Sequence, residues 1–148
     1  MSFLAVKEAP VGLAWFDIDH SSTNPTTGTY YTLTQGTVND LSITGSGTTT
    51  LTFPPGIYYL KANVGGNRAA RAAYIDYQWE VDGTLVGNQA GWDKTYHYTV
   101  EYTEAVIRLS APTNVRLYVP DHSNTFYPSY SNTVLPDYSG AYIMGHSL

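Results

Sequence analysis

Apolar and polar side chains alternate with a period of two along most of this chain. The clearest run is Ile75-Asp76-Tyr77-Gln78-Trp79-Glu80-Val81. In a pleated strand that spacing sends Ile75, Tyr77, Trp79 and Val81 to one face and the three polar residues to the other. Asp82-Gly83 follows, a strong short hairpin signal, and Thr84-Leu85-Val86 begins the return strand. Val106 to Leu109 and Val115 to Val119 alternate as well, with a turn expected over Ala111-Pro112-Thr113-Asn114. Thr50-Leu51-Thr52-Phe53 alternates up to Pro54-Pro55-Gly56, after which Ile57 to Val64 reads as a further strand. Leu13 to Ile18, Tyr30 to Thr34, Tyr96 to Val100 and Ala141 to Leu148 complete the expected set.

Only Asn67 to Ala73 has helical composition, and so short a segment without a cap makes a weak helix. About eight to ten short strands with turn signals between them predict an all-β sandwich or barrel. No self-similarity at a period of about 20–50 residues points to a propeller or solenoid. The expected organisation is an N-terminal arm over residues 1–10 and a single domain over 11–148. His20 to Gly28 and Asp121 to Ser139 are expected as loops, and Tyr127-Pro128-Ser129-Tyr130 makes the second a candidate contact surface.

Composition narrows the function classes. The chain has 148 residues, 43% of them apolar, enough for a packed core. Charged residues are only 13% of the total, about half the usual share. Thr, Ser, Asn, Gly and 14 Tyr take their place, which suits a surface that is buried against copies or partners. A net charge of −5, with seven Lys and Arg and no basic cluster, argues against a nucleic-acid partner. The absence of Cys excludes disulfides, thiolate chemistry and Cys-based zinc sites. Met1 to Glu8 lacks the basic start and sustained apolar stretch of a secretory signal. No apolar run approaches the ~20 residues that a bilayer-spanning helix needs, so no membrane partner is expected. The expectation is a protein made and kept inside a cell, leaving only when that cell lyses.

A search for catalytic patterns finds none. The His residues at 20, 97, 122 and 146 are scattered, and no His-Glu-x-x-His, Gly-x-Ser-x-Gly or phosphate-binding glycine loop is present. Gly45-Ser46-Gly47 and Gly65-Gly66 fall between strands and are expected as turns. Asp17-Ile18-Asp19-His20 is the best local cation candidate, because alternation puts Asp17 and Asp19 on one strand face. The competing reading is a strand leaving the core with both carboxylates in water. Asp121-His122-Ser123 suggests a triad, but no geometry or third partner can be named. No enzyme activity and no cofactor are expected. The tyrosines say more: in Tyr30-Tyr31 and Tyr58-Tyr59 alternation turns one member of each pair outward. Subunit contacts, glycan stacking and plain surface tyrosines are the three readings. The first is favoured because the excess is spread over strands, and Tyr buries a large area with few rotatable bonds.

Phe53-Pro54-Pro55-Gly56-Ile57-Tyr58-Tyr59-Leu60-Lys61-Ala62 resembles the entry into a central strand of bacteriophage tail-fibre and decoration-type domains with a TNF-like jelly roll. The likeness continues through Asn67-Arg68, Tyr74 to Val81, Asp82-Gly83-Thr84, Val86-Gly87-Asn88-Gln89, Ile107 to Thr113 and Gly140 to Met144. The ordered series, spanning residues 13 to 148, carries it, and Asn63-Val64-Gly65-Gly66-Asn67 departs from it. The resemblance implies an antiparallel jelly-roll sandwich that forms a homotrimer. Its inner sheet would hold the strands around Leu13, Ile57, Val115 and Ala141, with Tyr59, Arg116, Tyr118, Tyr142 and Met144 at the trimer interface.

Two roles follow from the same resemblance. The first is a capsid decoration (cement) protein, synthesised in the host cytoplasm and seated on the virion capsid surface. Its partner would be the major capsid protein or another virion protein, with Ser2, Phe3, Leu4, Val6 and Lys7 as a shell-binding arm. The second is the receptor-binding tip of a tail fibre or spike, contacting a host-surface glycan through loops such as His122 to Tyr138. Only about ten residues precede the first expected strand, which leaves no room for a shaft and favours decoration.

Overall fold

A computed structural model of the chain describes residues 11–19, 26–68, 74–93, 101–120, 132–134 and 139–148. Among them there are strands and turns but no helix. In chain order the strands are β1 (Gly12–Ile18), β2 (Leu33–Asn39), β3 (Leu51–Phe53), β4 (Gly56–Asn63), β5 (Gly66–Arg68) and β6 (Tyr74–Val81). They continue as β7 (Thr84–Asp93), β8 (Thr103–Leu109), β9 (Thr113–Tyr118), β10 (Asn132–Val134) and β11 (Gly140–Ser147). One sheet has the order β2-β1-β11-β4-β8, a second the order β3-β9-β6-β7, and β10-β5 forms a separate ribbon. All pairings are antiparallel. This is the expected all-β sandwich.

The core lies between the two sheets and follows from the alternation. In β1, Ala14, Phe16 and Ile18 are buried while Leu13, Trp15 and Asp17 face out. In β8, Thr103, Ala105, Ile107 and Leu109 point inward. Tyr58 and Leu60 from the five-stranded sheet meet Tyr77, Trp79, Val115 and Leu117 from the four-stranded one, all fully buried. Each large side chain so buried stabilises the fold by about 1.5–3 kcal/mol. The buried tyrosines keep their hydroxyls bonded to backbone: Tyr31 donates to Asp76 O at 2.7 Å, Tyr58 to Pro54 O at 2.7 Å, and Tyr77 to Glu101 O. Burial pushes the Tyr31 and Tyr77 phenols well above their usual range.

Several sequence expectations are displaced. Asp82 and Gly83, with φ of 48° and 80°, make the expected hairpin turn between β6 and β7. The turn after β8 does not make a hairpin: β8 belongs to the five-stranded sheet and β9 to the four-stranded one, so the chain changes sheets there. The strand of Val115 is therefore absent from the sheet that holds Leu13, Ile57 and Ala141, and β8 takes its place. Period two fixes which side chains point inward but not which sheet a strand joins. The expected strand Tyr30 to Thr34 runs instead from Leu33 to Asn39, with Tyr30 contributing an isolated bridge to Tyr118. β5 takes in Asn67 and Arg68 from the segment of weakly helical composition, and β10 lies in the segment expected as a loop. Tyr96 to Val100 and the arm over residues 1–10 lie outside the described residues.

Both sides of the sandwich are closed. On one, β2 and the segment leading to β3 exchange Leu33 N to Thr48 O (3.0 Å) and Gly47 N to Leu33 O (2.9 Å). Thr44 and Thr52 then exchange bonds of 3.1 and 2.9 Å. On the other, β7 bulges opposite Gln78, and the bulge reaches across to β8. There the Asn88 side chain donates to Tyr102 O and accepts from Glu104 N, both at 2.9 Å. The approach is so close that a Cβ on Gly87, at φ +70°, would lie 2.0 Å from Glu104 O.

Two outcomes follow. Gly87→Ala should lower the unfolding free energy by about 2 kcal/mol or more, from the positive φ and the backbone clash together. A urea denaturation curve unchanged from wild type would refute the closure. In addition, the unfolded chain ionises its tyrosines near their ordinary pKa of about 10, while the folded chain holds Tyr31 and Tyr77 neutral. Stability from these groups is therefore complete below about pH 10 and lost as pH rises above it. Urea midpoints measured across an alkaline series should fall, and Tyr77→Phe should flatten the fall.

Candidate functional site

An antiparallel sheet with one face on the core normally turns a polar face to water. The outward face of the five-stranded sheet does not follow that rule. Registers between neighbouring strands set its side chains in rows. One row runs Leu13, Met144, Tyr59, Val106 across β1, β11, β4 and β8. The next runs Trp15, Tyr142, Lys61, Glu104. Leu13 is 52% exposed, Met144 45% and Val106 74%, so large apolar surface faces outward along a whole row. Contiguous apolar surface of this kind marks an interaction site more often than does a scattered exposed side chain.

The aromatic side chains here are held in place by their neighbours. Trp15 packs edge-on against Tyr142 with ring centroids 4.8 Å apart, and its Nε1 donates to Asp17 Oδ1 at 2.8 Å. The indole lies over β2 at Gly36, where a Cβ would fall 2.5 Å from the Trp15 ring. That contact sits at the bulge between the Ala14 and Phe16 pairings of β1 with β2. The Tyr59 hydroxyl donates to Glu104, and this bond raises the Tyr59 phenol pKa. The Lys61 ammonium lies 4.2 Å from the centre of the Tyr102 ring, a cation–π contact. Burial raises the Tyr142 phenol pKa. Between Leu13, Trp15, Tyr142, Met144 and the Lys61–Tyr102 pair lies a groove of about 470 Å³.

The sequence-expected site residues divide. Tyr59, Tyr142 and Met144 share this face in adjoining rows. Arg116 and Tyr118 do not, because β9 is in the other sheet, and their side chains turn to the outside of the sandwich there. The Arg116 guanidinium lies 4.6 Å from the Tyr30 ring centre, Tyr118 packs on Tyr30 at 5.6 Å, and Tyr30 donates to Glu80 Oε2 at 2.9 Å. That bond, first among several causes, raises the Tyr30 phenol pKa. Asp17 and Asp19 face the same side, as expected, but each carboxylate has a local donor: Trp15 Nε1 for Asp17 and Thr34 Oγ1, at 2.8 Å, for Asp19. Among the described residues no three acidic or imidazole side chains gather where a metal could be held. Ser2, Phe3, Leu4, Val6, Lys7, and the Asp121-His122-Ser123 and Tyr127 to Tyr130 segments lie outside the described residues.

Leu13, Trp15 and Val106 belong to the face but were not singled out from sequence. A signal for two of them was present. Leu13-Ala14-Trp15-Phe16 is apolar without a break, the pattern of a strand covered on both sides. Ala141-Tyr142-Ile143-Met144 repeats it in the strand that pairs with β1.

No protein-family model matches the sequence, and no curated protein matches it. Solved structures do resemble the fold. Murine APRIL at pH 5.0 superposes with a TM-score of 0.62 at 11% identity, over 92% of this chain and 99% of that one. The globular domain of a zebrafish complement 1qA protein gives a TM-score of 0.51 at 11% identity, over 94% and 97% of the two chains. Likeness at this identity defines the fold. The chain is a TNF-like jelly roll, as the sequence resemblance implied.

Proposed function

We propose that this chain is a non-enzymatic assembly protein that forms a homotrimer through the outward face of its five-stranded sheet. The carrying observation is the row Leu13, Met144, Tyr59, Val106, apolar surface on the side of a sheet where water should be. The Trp15 indole N–H and the Tyr59 hydroxyl bond within the chain, so a partner that covers them leaves neither donor unpaired. Sparse charge over the whole sequence fits the same reading.

The finer role rests on the sequence resemblance: a bacteriophage capsid decoration (cement) protein, bound to the major capsid protein or another virion protein on the capsid surface. A trimer seated across a threefold position of a shell multiplies weak contacts into avidity. The receptor-binding alternative places its glycan contacts on residues 122–138, of which only Asn132–Val134 is described, and no observation favours it.

Two measurements test these readings. Met144→Glu puts an unpaired carboxylate into the proposed interface and should weaken association by about 3 kcal/mol, roughly a hundredfold. Tyr118→Asp, on the opposite sheet, should leave the sedimentation coefficient of the trimer unchanged. A wild-type chain that sediments as a monomer at micromolar concentration would refute the trimer. For the finer role, quantitative mass spectrometry of purified virions should count hundreds of copies per particle; a few tens or fewer would point to a fibre tip, and none would remove the virion role.

A further inference from the structure

The groove on the outward face crosses the strands instead of running along them. Its lining starts at Val38 on β2, passes Trp15 on β1 and Met144 on β11, and ends at Lys61 on β4. From β2 to β4 is three strand spacings, about 14 Å. Its volume of about 470 Å³ falls within the roughly 300–1,000 Å³ of sites that hold small organic ligands. The two ends differ in chemistry. From Val38, 37% exposed, to Met144 the walls offer aliphatic and ring surface. At the other end Lys61 is the one charged side chain of the lining among the described residues. Its cross-strand neighbour Glu104 accepts the Tyr59 hydroxyl, and the contact that Lys61 keeps among those residues is the Tyr102 ring, 4.2 Å from the ammonium. A ring face occupies one side of an ammonium and leaves its charge in place, so N–H donors remain for an anion.

We infer that the groove binds a free straight-chain carboxylate of the fatty-acid class, its apolar chain lying across the strands and its carboxylate on the Lys61 ammonium. A long apolar trough with a cation at one end matches a ligand built the same way, and no other ligand of that length satisfies both parts. A neutral chain gains the apolar burial but leaves the Lys61 charge covered without a counter-ion, which costs what the burial gives. A cationic chain adds repulsion at the same end. The carboxylate instead makes a charge-assisted hydrogen bond where the apolar wall stops. Binding by the single chain does not depend on the proposed trimer. Competition with the trimer does: the ligand and a second copy need the same apolar rows, so a ligand that enters only the uncovered face draws the equilibrium towards free chains.

Decanoate, kept below the concentration at which it forms micelles, is the probe, and decanol is the neutral chain of the same length. Equilibrium dialysis should find one decanoate bound per chain, more tightly than decanol. Lys61→Gln should weaken decanoate binding roughly tenfold and leave decanol binding unchanged. Val38→Glu, at the far end, should weaken both. Neither side chain belongs to the core, so the substitutions spare the fold. Equal affinity of the wild type for the two probes would overturn the inference, as would a Lys61→Gln chain that holds decanoate as the wild type does. An unaffected Val38→Glu would place the chain outside the groove and overturn it too. Saturating decanoate should convert a wild-type trimer to monomers in sedimentation, and a trimer that takes up decanoate and stays a trimer would contradict a site on this face. A wild type that is monomeric throughout and still binds decanoate in the expected way removes the trimer and leaves the ligand site standing.

Discussion

A pleated strand has two faces, and in β1 and β11 both are apolar. One face of each closes the core, through Phe16, Ala141 and Ile143. The other carries Leu13, Trp15, Tyr142 and Met144 outward, and no strand among the described residues covers it. Since neighbouring residues alternate, neither strand can bury its second apolar set without exposing its first. The pair must stay solvent-facing on one side or be covered by something else. Where β1 and β11 sit, in the interior of the five-stranded sheet, determines where that covering has to come.

Around this constraint the local chemistry is orderly. Trp15 is clamped by Tyr142, Asp17 and the glycine of β2, Tyr59 by Glu104, and Lys61 by Tyr102. Side chains held this way have little rotamer freedom left to lose on association, so more of the gain from burying apolar area is kept as affinity. The opposite sheet shows the contrasting arrangement. There Tyr30, Tyr118, Arg116 and Glu80 satisfy one another in a polar cluster on the outside of the sandwich. Such a cluster gains little from a partner and loses hydration if one covers it.

Most of the strands were legible because a half-buried strand writes its period into the chain; β4, β6, β8 and β9 are close to where alternation puts them. The assignment of β9 to a sheet was not. A tight turn between two alternating segments looks the same whether it folds a hairpin or carries the chain over the core, and Ala111 to Asn114 does the second. That ambiguity separated Arg116 and Tyr118 from Tyr59, Tyr142 and Met144. Val106 was illegible for another reason. Its exposure depends on its strand lying at a sheet edge, which is settled by pairings with residues about fifty positions away and not by its neighbours in sequence.

The place of β11 has a consequence in time. β11 is inserted between β1 and β4, both far from it in sequence, so the middle of the sheet closes only through pairings of long separation. Pairings this distant are slow to form, because the loop between the partners must close before any contact repays it. Until then the outward rows are incomplete: Met144 and Tyr142 have not joined them, and the groove has no floor. A chain whose β11 has not yet paired therefore lacks the complete apolar face. Any association through that face has to wait for the slowest pairing in the fold, so folding and assembly are ordered in time by the topology.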